Sequence, residues 1–527
     1  MAASARAEPP PLKTWGGKQG ITSEGPPDPP PSDDALPPTP PVPSVGTPIG
    51  VAEKPMPADD DTDAEGVVRA PGKVGLRYVL EGVEVAGNPT TLTRVVLRYV
   101  PFHAGDTLDV DDPALELTRF RLLGTGFFRA VELSLKKGSR RGTAILVVHV
   151  RERNTIVVND LWLGLSSDAE PNGAARPLTA FGGLDISENN LAGTGITVGG
   201  AVALADRQLA LRARFADPQF LGTSWTVETQ LLYNHARDFF GNRDVLVDDP
   251  QQPAQDFAVA LYERFGGLVG VGHDIGTSTR LFVDYRLERI DASLPLAASH
   301  KRGLDIEPID FHLARNGSTL SDLRATLVHD TRDDPFLTTR GTYFTLVSDL
   351  APAILGSDYP FFKLQTRLAS WFELPKQHVI KLELTGGAIV GRAPLFERFY
   401  VGDFTDLLPD RVLDLNFDRR PPPNFFSNAI GEVRYGDYAA KVSAEYRIPL
   451  YRGQRAIYGV DLFGSVGLYG VAGLLDLTHP ARGYDGLRKV PIDFTFNLGI
   501  RASTALGGVT VGISTLVGFI PFRESPQ

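Results

Sequence analysis

Residues 437–449 read Asp-Tyr-Ala-Ala-Lys-Val-Ser-Ala-Glu-Tyr-Arg-Ile-Pro. Lys441, Ser443, Glu445 and Arg447 alternate there with Ala440, Val442, Ala444, Tyr446 and Ile448. A period of two puts one set on each face of a strand. The alternation alone fits two architectures. In a soluble sandwich the apolar face looks inward; in a membrane barrel it meets lipid and the charges line the lumen. Number of copies, their length and the connections between them decide.

The pattern recurs. Leu281, Val283, Tyr285 and Leu287 alternate with Arg280, Asp284, Arg286 and Glu288; Ile380, Leu382 and Leu384 alternate with Lys381, Glu383 and Thr385; Phe494, Phe496, Leu498 and Ile500 alternate with Asp493, Thr495, Asn497 and Arg501. Fifteen such segments predict strands over about 155–165, 179–188, 195–205, 207–216, 223–236, 257–274, 278–290, 319–331, 341–350, 360–373, 377–390, 437–449, 455–469, 490–504 and 508–518. Tilted strands of about 9–11 residues cross a bilayer. Connections alternate between short (Pro375-Lys376, Arg452-Gly453) and long (about 238–255, 291–318, 391–436 and 470–489). That asymmetry marks a transmembrane barrel with tight turns at one rim and long loops at the other. The segment 257–274 could also be two strands, and a short last strand could lie around 515–523, close to Phe519 and Phe522.

Upstream the pattern changes. Residues 8–72 hold 17 of the 41 prolines, followed within them by Asp59-Asp60-Asp61. Such a stretch buries too little apolar surface to offset chain entropy. Residues 1–72 are therefore expected to be a disordered Pro-rich arm, rising roughly 3 Å per residue where Pro is dense. Ala5-Arg6-Ala7 has the small-x-small form of a signal-peptide cleavage site, without the charged and apolar regions that normally precede one.

Residues 74–153 read as a compact β-α-α-β-β unit. A strand over 76–86 stops at Gly87-Asn88-Pro89, and Thr91 is placed to cap a helix over about 92–100. After a turn at Gly105-Asp106, a second helix spans about 112–124 and ends at Gly124; strands 128–136 and 143–152 close the unit. The spacing of Gly87-Asn88, Gly105-Asp106, Leu123-Gly124, Phe127-Phe128, Val131 and Val150-Arg151-Glu152 resembles a POTRA domain, the periplasmic module of the BamA/TamA outer-membrane assembly family. The resemblance implies a mainly β chain in which residues 154–527 form an antiparallel barrel of about 16 strands. It also implies a bacterial outer-membrane protein with its POTRA module and arm in the periplasm.

Two further stretches carry the resemblance. Asp330, Arg332 and Gly341 match the family's periplasmic hairpin, and Glu188-Asn189-Asn190-Leu191-Ala192-Gly193 matches its first hairpin. In the family, a loop after the eleventh strand folds into the lumen and presents an Arg-Gly-aromatic motif to acidic residues of the wall. Here Phe396-Glu397-Arg398-Phe399-Tyr400-Val401-Gly402 leads into that loop, but Leu408-Pro409 stands where Arg-Gly should be. Arg411, beside Asp410, is the candidate replacement, with Glu445 and Asp461 as its acidic partners; the bland alternative is three solvated lumenal charges.

Composition narrows the rest. The net charge of −10 argues against a nucleic-acid partner, and zero Cys removes disulfides, thiolate metal sites and a Cys nucleophile. No Gly-x-Ser-x-Gly elbow, His-Glu-x-x-His or P-loop occurs, so neither an enzyme nor a cofactor or metal site is expected. The resemblance implies a factor that inserts or exports client polypeptides without ATP. Its partners would be unfolded clients on a POTRA edge strand, either 128–136 or 76–86, together with outer-membrane lipid and accessory subunits. A dedicated secretion pore or a passive porin-like channel is the alternative.

Overall fold

The computed structural model describes residues 77–518, apart from 170–174, 242–256, 277, 295–298, 303–304, 335–336, 401–410, 417–434, 454–455, 480–481, 483–491 and 505–506. The Pro-rich arm, Ala5-Arg6-Ala7, Leu408-Pro409, Asp410 and the terminal aromatics Phe519 and Phe522 lie outside the described residues.

The first module runs β1 (Arg77–Ala86), α1 (Thr93–Leu97), β2 (Thr107–Asp109), α2 (Pro113–Gly124), β3 (Phe128–Lys137) and β4 (Thr143–Glu152). It is the POTRA-like arrangement expected, with β2 as a three-residue addition. The sheet order is β2-β1-β4-β3. The free edge is therefore β3 along its whole length. By contrast, β1 pairs with β4 on one side and, over Arg77–Val79, with β2 on the other. Both helices lay apolar faces on the sheet, and Leu80, Val96, Leu122, Phe128, Leu146 and Val148 form the core.

Two helix ends differ from expectation. The residue before α1 is Leu92, and no side chain caps it. Thr91 instead donates its backbone N–H to Glu152 (2.5 Å), a partner 61 residues away that no local pattern could reveal. Gly124 is the last helical residue of α2 and does not end it in a left-handed cap; the positive φ of 74° belongs to Gly126. Asp112 caps the start of α2 by accepting from Ala114 N (2.9 Å).

The second part is a single up-and-down sheet. Its strands are β5 (Ile156–Ala169), β6 (Ala175–Leu191), β7 (Ile196–Ala205), β8 (Gln208–Asp217), β9 (Trp225–Gly241), β10 (Phe257–Asp274) and β11 (Thr279–Ser293). A small hairpin, β12 (Ser299–Arg302) and β13 (Asp305–Pro308), follows, and then β14 (Ser318–Asp330), β15 (Gly341–Ala351), β16 (Phe361–Leu374) and β17 (His378–Gly391). Short strands β18 (Phe399–Tyr400), β19 (Arg411–Val412), β20 (Leu415–Asn416) and β21 (Tyr435–Gly436) punctuate the long loop. The sheet ends with β22 (Tyr438–Arg452), β23 (Ile457–Ala472), β24 (Ile492–Thr504) and β25 (Gly507–Gly518).

Fifteen strands form the main sheet, in chain order from β5 to β25 without a crossover. Residues 257–274 are one strand of 18 residues, so the count is fifteen among the described residues, not the expected sixteen. Every neighbouring pair in the sheet is antiparallel. With an odd count, the first and last strands run in the same direction. Parts of β5 and β25 approach within 8 Å between Cα atoms, yet among the described residues no ladder joins them.

Burial identifies the sheet as a membrane barrel. In β22 the charged Arg447 and Lys441 are 2% and 4% exposed, whereas Val442 is 57% exposed. In β11, Asp284, Arg286 and Glu288 are buried while Val283 and Leu287 are exposed. A soluble sandwich would reverse this. A closed or nearly closed sheet satisfies its backbone internally and offers its apolar face to lipid. Among the described residues no helix is long and apolar enough to cross a membrane.

Candidate functional site

The barrel interior is filled from within by the loop between β17 and β22. Its first turn, Leu395–Glu397, is buried, and Phe399–Tyr400 pairs with Tyr435–Gly436 as the chain leaves and returns. Leu395, Phe396, Phe399, Tyr400, Leu415 and Tyr435 pack with wall residues Tyr262, Ile290, Ala439 and Tyr469 into one apolar cluster. The loop is thus held as a core element is held, by buried apolar surface.

Charges fix its position. The carboxylate of Glu397 accepts from Arg286 of β11 (2.6 Å) and from Lys363 of β16 (3.0 Å), and Lys363 also reaches its backbone carbonyl (2.8 Å). Phe396 lies against the guanidinium of Arg264 at 3.9 Å, within the range of a cation–π contact, and 5.7 Å from the ring of Tyr262. Arg398 is paired with Asp437 (2.9 Å).

The loop's inner tip is a two-residue hairpin. Arg411 pairs with Asn416, and Leu413 and Asp414 make the turn with φ of 48° and 64°. Two positive φ values in succession are the geometry of the hairpin turn whose twist matches paired strands. Asp414 accepts from Arg212 of β8 (2.9 Å) and Arg264 of β10 (3.1 Å). The carbonyl of Leu413 accepts from Arg212 (3.0 Å) and from Asn234 of β9 (2.9 Å). Three adjacent wall strands therefore grip one turn. Beside the two acids lies a cavity of about 520 Å³, lined by wall arginines, Lys363 and the loop residues Phe396 to Phe399, Leu413 and Asp414.

The polarity of this latch is opposite to the one anticipated. The family pattern puts an arginine on the loop and acids on the wall; here the loop presents Asp414 and Glu397 to arginines and a lysine of the wall. Glu445 is engaged by Arg501 (3.1 Å) and Arg447 (3.4 Å), and Asp461 by Arg452 (2.5 Å) and Arg447 (3.7 Å). Arg447 also donates to the Thr338 carbonyl, in the turn between β14 and β15. Arg411 has its backbone in β19; its side chain lies outside the described residues. Asp414 is not among the residues that the sequence singles out. The available signal was an acid in a tight apolar hairpin, Val-Leu-Asp-Leu, in a chain whose lumenal strands carry arginines at alternate positions.

Other anticipated residues lie at or beside turns. Asp330 and Arg332 form a bidentate pair (2.9 and 2.7 Å), and Arg332 stacks on Tyr343 at 4.4 Å. Gly341 has φ 111°, and a Cβ there would meet the Thr331 carbonyl at 2.3 Å. In the POTRA-like module, Asn88 donates to the Thr91 carbonyl (2.9 Å), Asp106 accepts from His103 N (2.7 Å), and Gly87 and Gly105 both have positive φ.

The module docks on the rim of the barrel that carries the short turns. Asn190, in the first hairpin singled out from the sequence, donates to Thr91 Oγ1 (2.8 Å), and Leu92 N donates to the Gly193 carbonyl (2.9 Å). Arg340 reaches Glu116 of α2 (2.7 Å). Asp274, at the end of β10, is ion-paired with Arg121 of α2, Arg98 beside α1 (3.6 Å) and Arg280 of β11 (3.3 Å).

The Omp85 superfamily domain is matched by residues 190–508, more than half of the 527. No curated protein sequence matches the chain. Among solved structures, CdiB from Escherichia coli aligns with 84% of this chain and 73% of its own, at 11% identity and a TM-score of 0.50. BamA from Haemophilus ducreyi lacking POTRA domains 1–3 aligns with 84% of this chain and 82% of its own, at 15% identity and 0.45. CdiB from Acinetobacter baumannii aligns with 82% and 74%, at 13% and 0.45. Barrel and family match together describe a bacterial outer-membrane protein of the kind that inserts or translocates polypeptides.

Proposed function

The chain belongs to the Omp85 superfamily, and from that premise we propose that it inserts client polypeptides into the outer membrane through the seam between β5 and β25, without ATP. The observation that carries this reading is the seam itself: parts of the first and last strands approach each other with no ladder between them among the described residues. Unpaired N–H and C=O groups at a strand edge template the pairing of another strand. In hydrocarbon each unsatisfied group is costly, so the seam is the place where the wall opens most readily. The POTRA-like module, in the periplasm, receives the client on β3. The energy for insertion comes from strand pairing and from burial of the client's apolar face in lipid.

A second reading, a dedicated export pore, is favoured by the lumenal cavity and the loop held across it by Asp414 and Glu397. Depletion of the protein in its native cell, with outer-membrane proteins quantified, separates the two. Broad loss of other barrel proteins supports insertion. Loss of one exported protein supports the pore. Unchanged protein levels with altered uptake of small solutes would overturn both.

A further inference from the structure

The two loop acids occupy two sockets, each built from cations of different wall strands. Asp414 sits between Arg212 of β8 and Arg264 of β10; Glu397 sits between Arg286 of β11 and Lys363 of β16. The wall supplies its own acids to half of these cations. Arg264 has Glu288 (2.8 Å), and Arg286 has Asp322 (2.6 Å). For Arg212 and Lys363, the carboxylates described are those of the loop. The Lys363 and Arg212 side chains are 10% and 9% exposed. That burial holds with the loop in place. Withdrawing the loop would leave Arg212 and Lys363 without a directly paired carboxylate in a lumen wall that also carries Arg264 and Arg286. Like charges would then face one another unless another acid took the loop's place. Release of the loop is therefore a ligand exchange.

We propose that the two sockets are a binding site for the carboxylate side chains of an acidic polypeptide, and that the loop's own Asp414 and Glu397 hold it until such a segment displaces them. The fit goes beyond charge. Phe396, next to Glu397, covers the face of Arg264, so the loop fills the site with an aromatic-acid pair. The cavity of about 520 Å³ beside the sockets gives an incoming chain room to approach before exchange. The site thus selects acidic polypeptides over basic ones, which deepens the polypeptide-handling reading above and rests on it.

The test uses the purified full chain in liposomes. It has no native Cys, so Ala439→Cys, a wall position buried in the apolar cluster under the loop, reports loop release through labelling by a membrane-impermeant thiol reagent. Hexaglutamate is expected to raise the labelling rate about tenfold, and hexalysine to leave it unchanged. Adding Asp414→Asn and Glu397→Gln removes the internal competitor and should lower the hexaglutamate concentration for half effect about tenfold. Adding Arg212→Gln and Lys363→Gln also loosens the loop but removes from each socket the cation with no described wall acid, so labelling should be fast without peptide and respond to it far less. Heat-modifiable electrophoretic migration checks that each barrel has formed; should a variant not form, the two peptides on the Ala439→Cys protein decide. Equal responses to both peptides, or a peptide response undiminished by loss of Arg212 and Lys363, would overturn the proposal. A hexaglutamate response with no change in client levels on depletion would remove the insertion reading and leave the sockets; the reverse would remove the sockets alone.

Discussion

Arg121, near the end of α2, is ion-paired with Asp274, the last residue of β10, and this contact joins the POTRA-like module to the barrel rim. Arg98 and Arg280 converge on the same carboxylate, at 3.6 and 3.3 Å. All three guanidinium groups also lie within 6 Å of the Tyr99 ring, at 5.7, 5.3 and 5.9 Å, whose face disperses part of their mutual repulsion. Asp274→Asn would leave three cations facing one another around a neutral amide. Arg98 and Arg121 are nearly buried, so the loss should be about 3–5 kcal/mol of docking energy. Hydrogen exchange over 113–124 and 274–280 should accelerate while the barrel strands stay protected. Unchanged exchange in α2 would show that the contacts of Asn190 and Leu92 suffice to hold the module.

The inverted burial of β11 makes a second prediction. Val283 is 43% exposed on the lipid face, and its neighbour Asp284 is 4% exposed on the lumenal face. Val283→Arg should cost about 2–4 kcal/mol if the residue lies near the bilayer midplane. Asp284→Asn, on the other face of the same strand, exposes no charge to lipid and should assemble far better. The check is the yield of heat-modifiable barrel in membranes for the two variants. Similar yields would contradict the orientation of the sheet.

The POTRA-like module gives a matched pair of glycines. Gly87 and Gly105 have φ of 84° and 97°, so alanine at either position is strained by about 1–3 kcal/mol. Only at Gly87 does a Cβ also collide, 2.1 Å from the Val150 carbonyl; at Gly105 nothing lies within 4 Å. Gly87→Ala should therefore loosen the β1–β4 ladder in hydrogen exchange much more than Gly105→Ala. Equal effects would mean that backbone strain alone decides.

These features differ in how far they could be read from the chain. All fifteen wall strands follow from a period-two pattern that any ten residues display, because each strand has two faces with different surroundings. Which face is outward is not in the period: Val442 and Lys441 alternate alike whether lipid or water lies outside, and loop lengths had to decide. The latch was harder. Asp414 lies in a two-residue turn, which has no period, and its partners Arg212 and Arg264 are 202 and 150 residues away. The arginine that the loop offers near its tip, Arg411, stands three residues short of the acid. The same holds for Thr91, whose partner Glu152 joins the helix entrance to the end of β4 through space.

The last prediction concerns pH at a site clear of the membrane. Glu81 of β1 accepts from Ser139 Oγ (2.6 Å), Thr143 Oγ1 (2.6 Å) and Ser139 N (3.0 Å), tying β1 to the turn between β3 and β4. Those hydrogen bonds, that of the Ser139 hydroxyl foremost, lower its pKa from 4.5 to about 2. A carboxylate whose folded pKa is depressed contributes stability that is complete above its unfolded value and is lost as pH falls through the folded one. The turn at 138–142 should therefore be equally protected at pH 7 and pH 5.5, and loosen between about pH 4.5 and pH 2. Glu81→Gln keeps the shape but carries no charge. Its turn should be looser than the native one at neutral pH, and much of the dependence below pH 4.5 should vanish. Local hydrogen exchange, corrected for the intrinsic pH dependence of the amide rate, measures both. A native turn that stays closed down to pH 2 would show that the backbone contacts of Val79 and Gly138 hold it without the carboxylate.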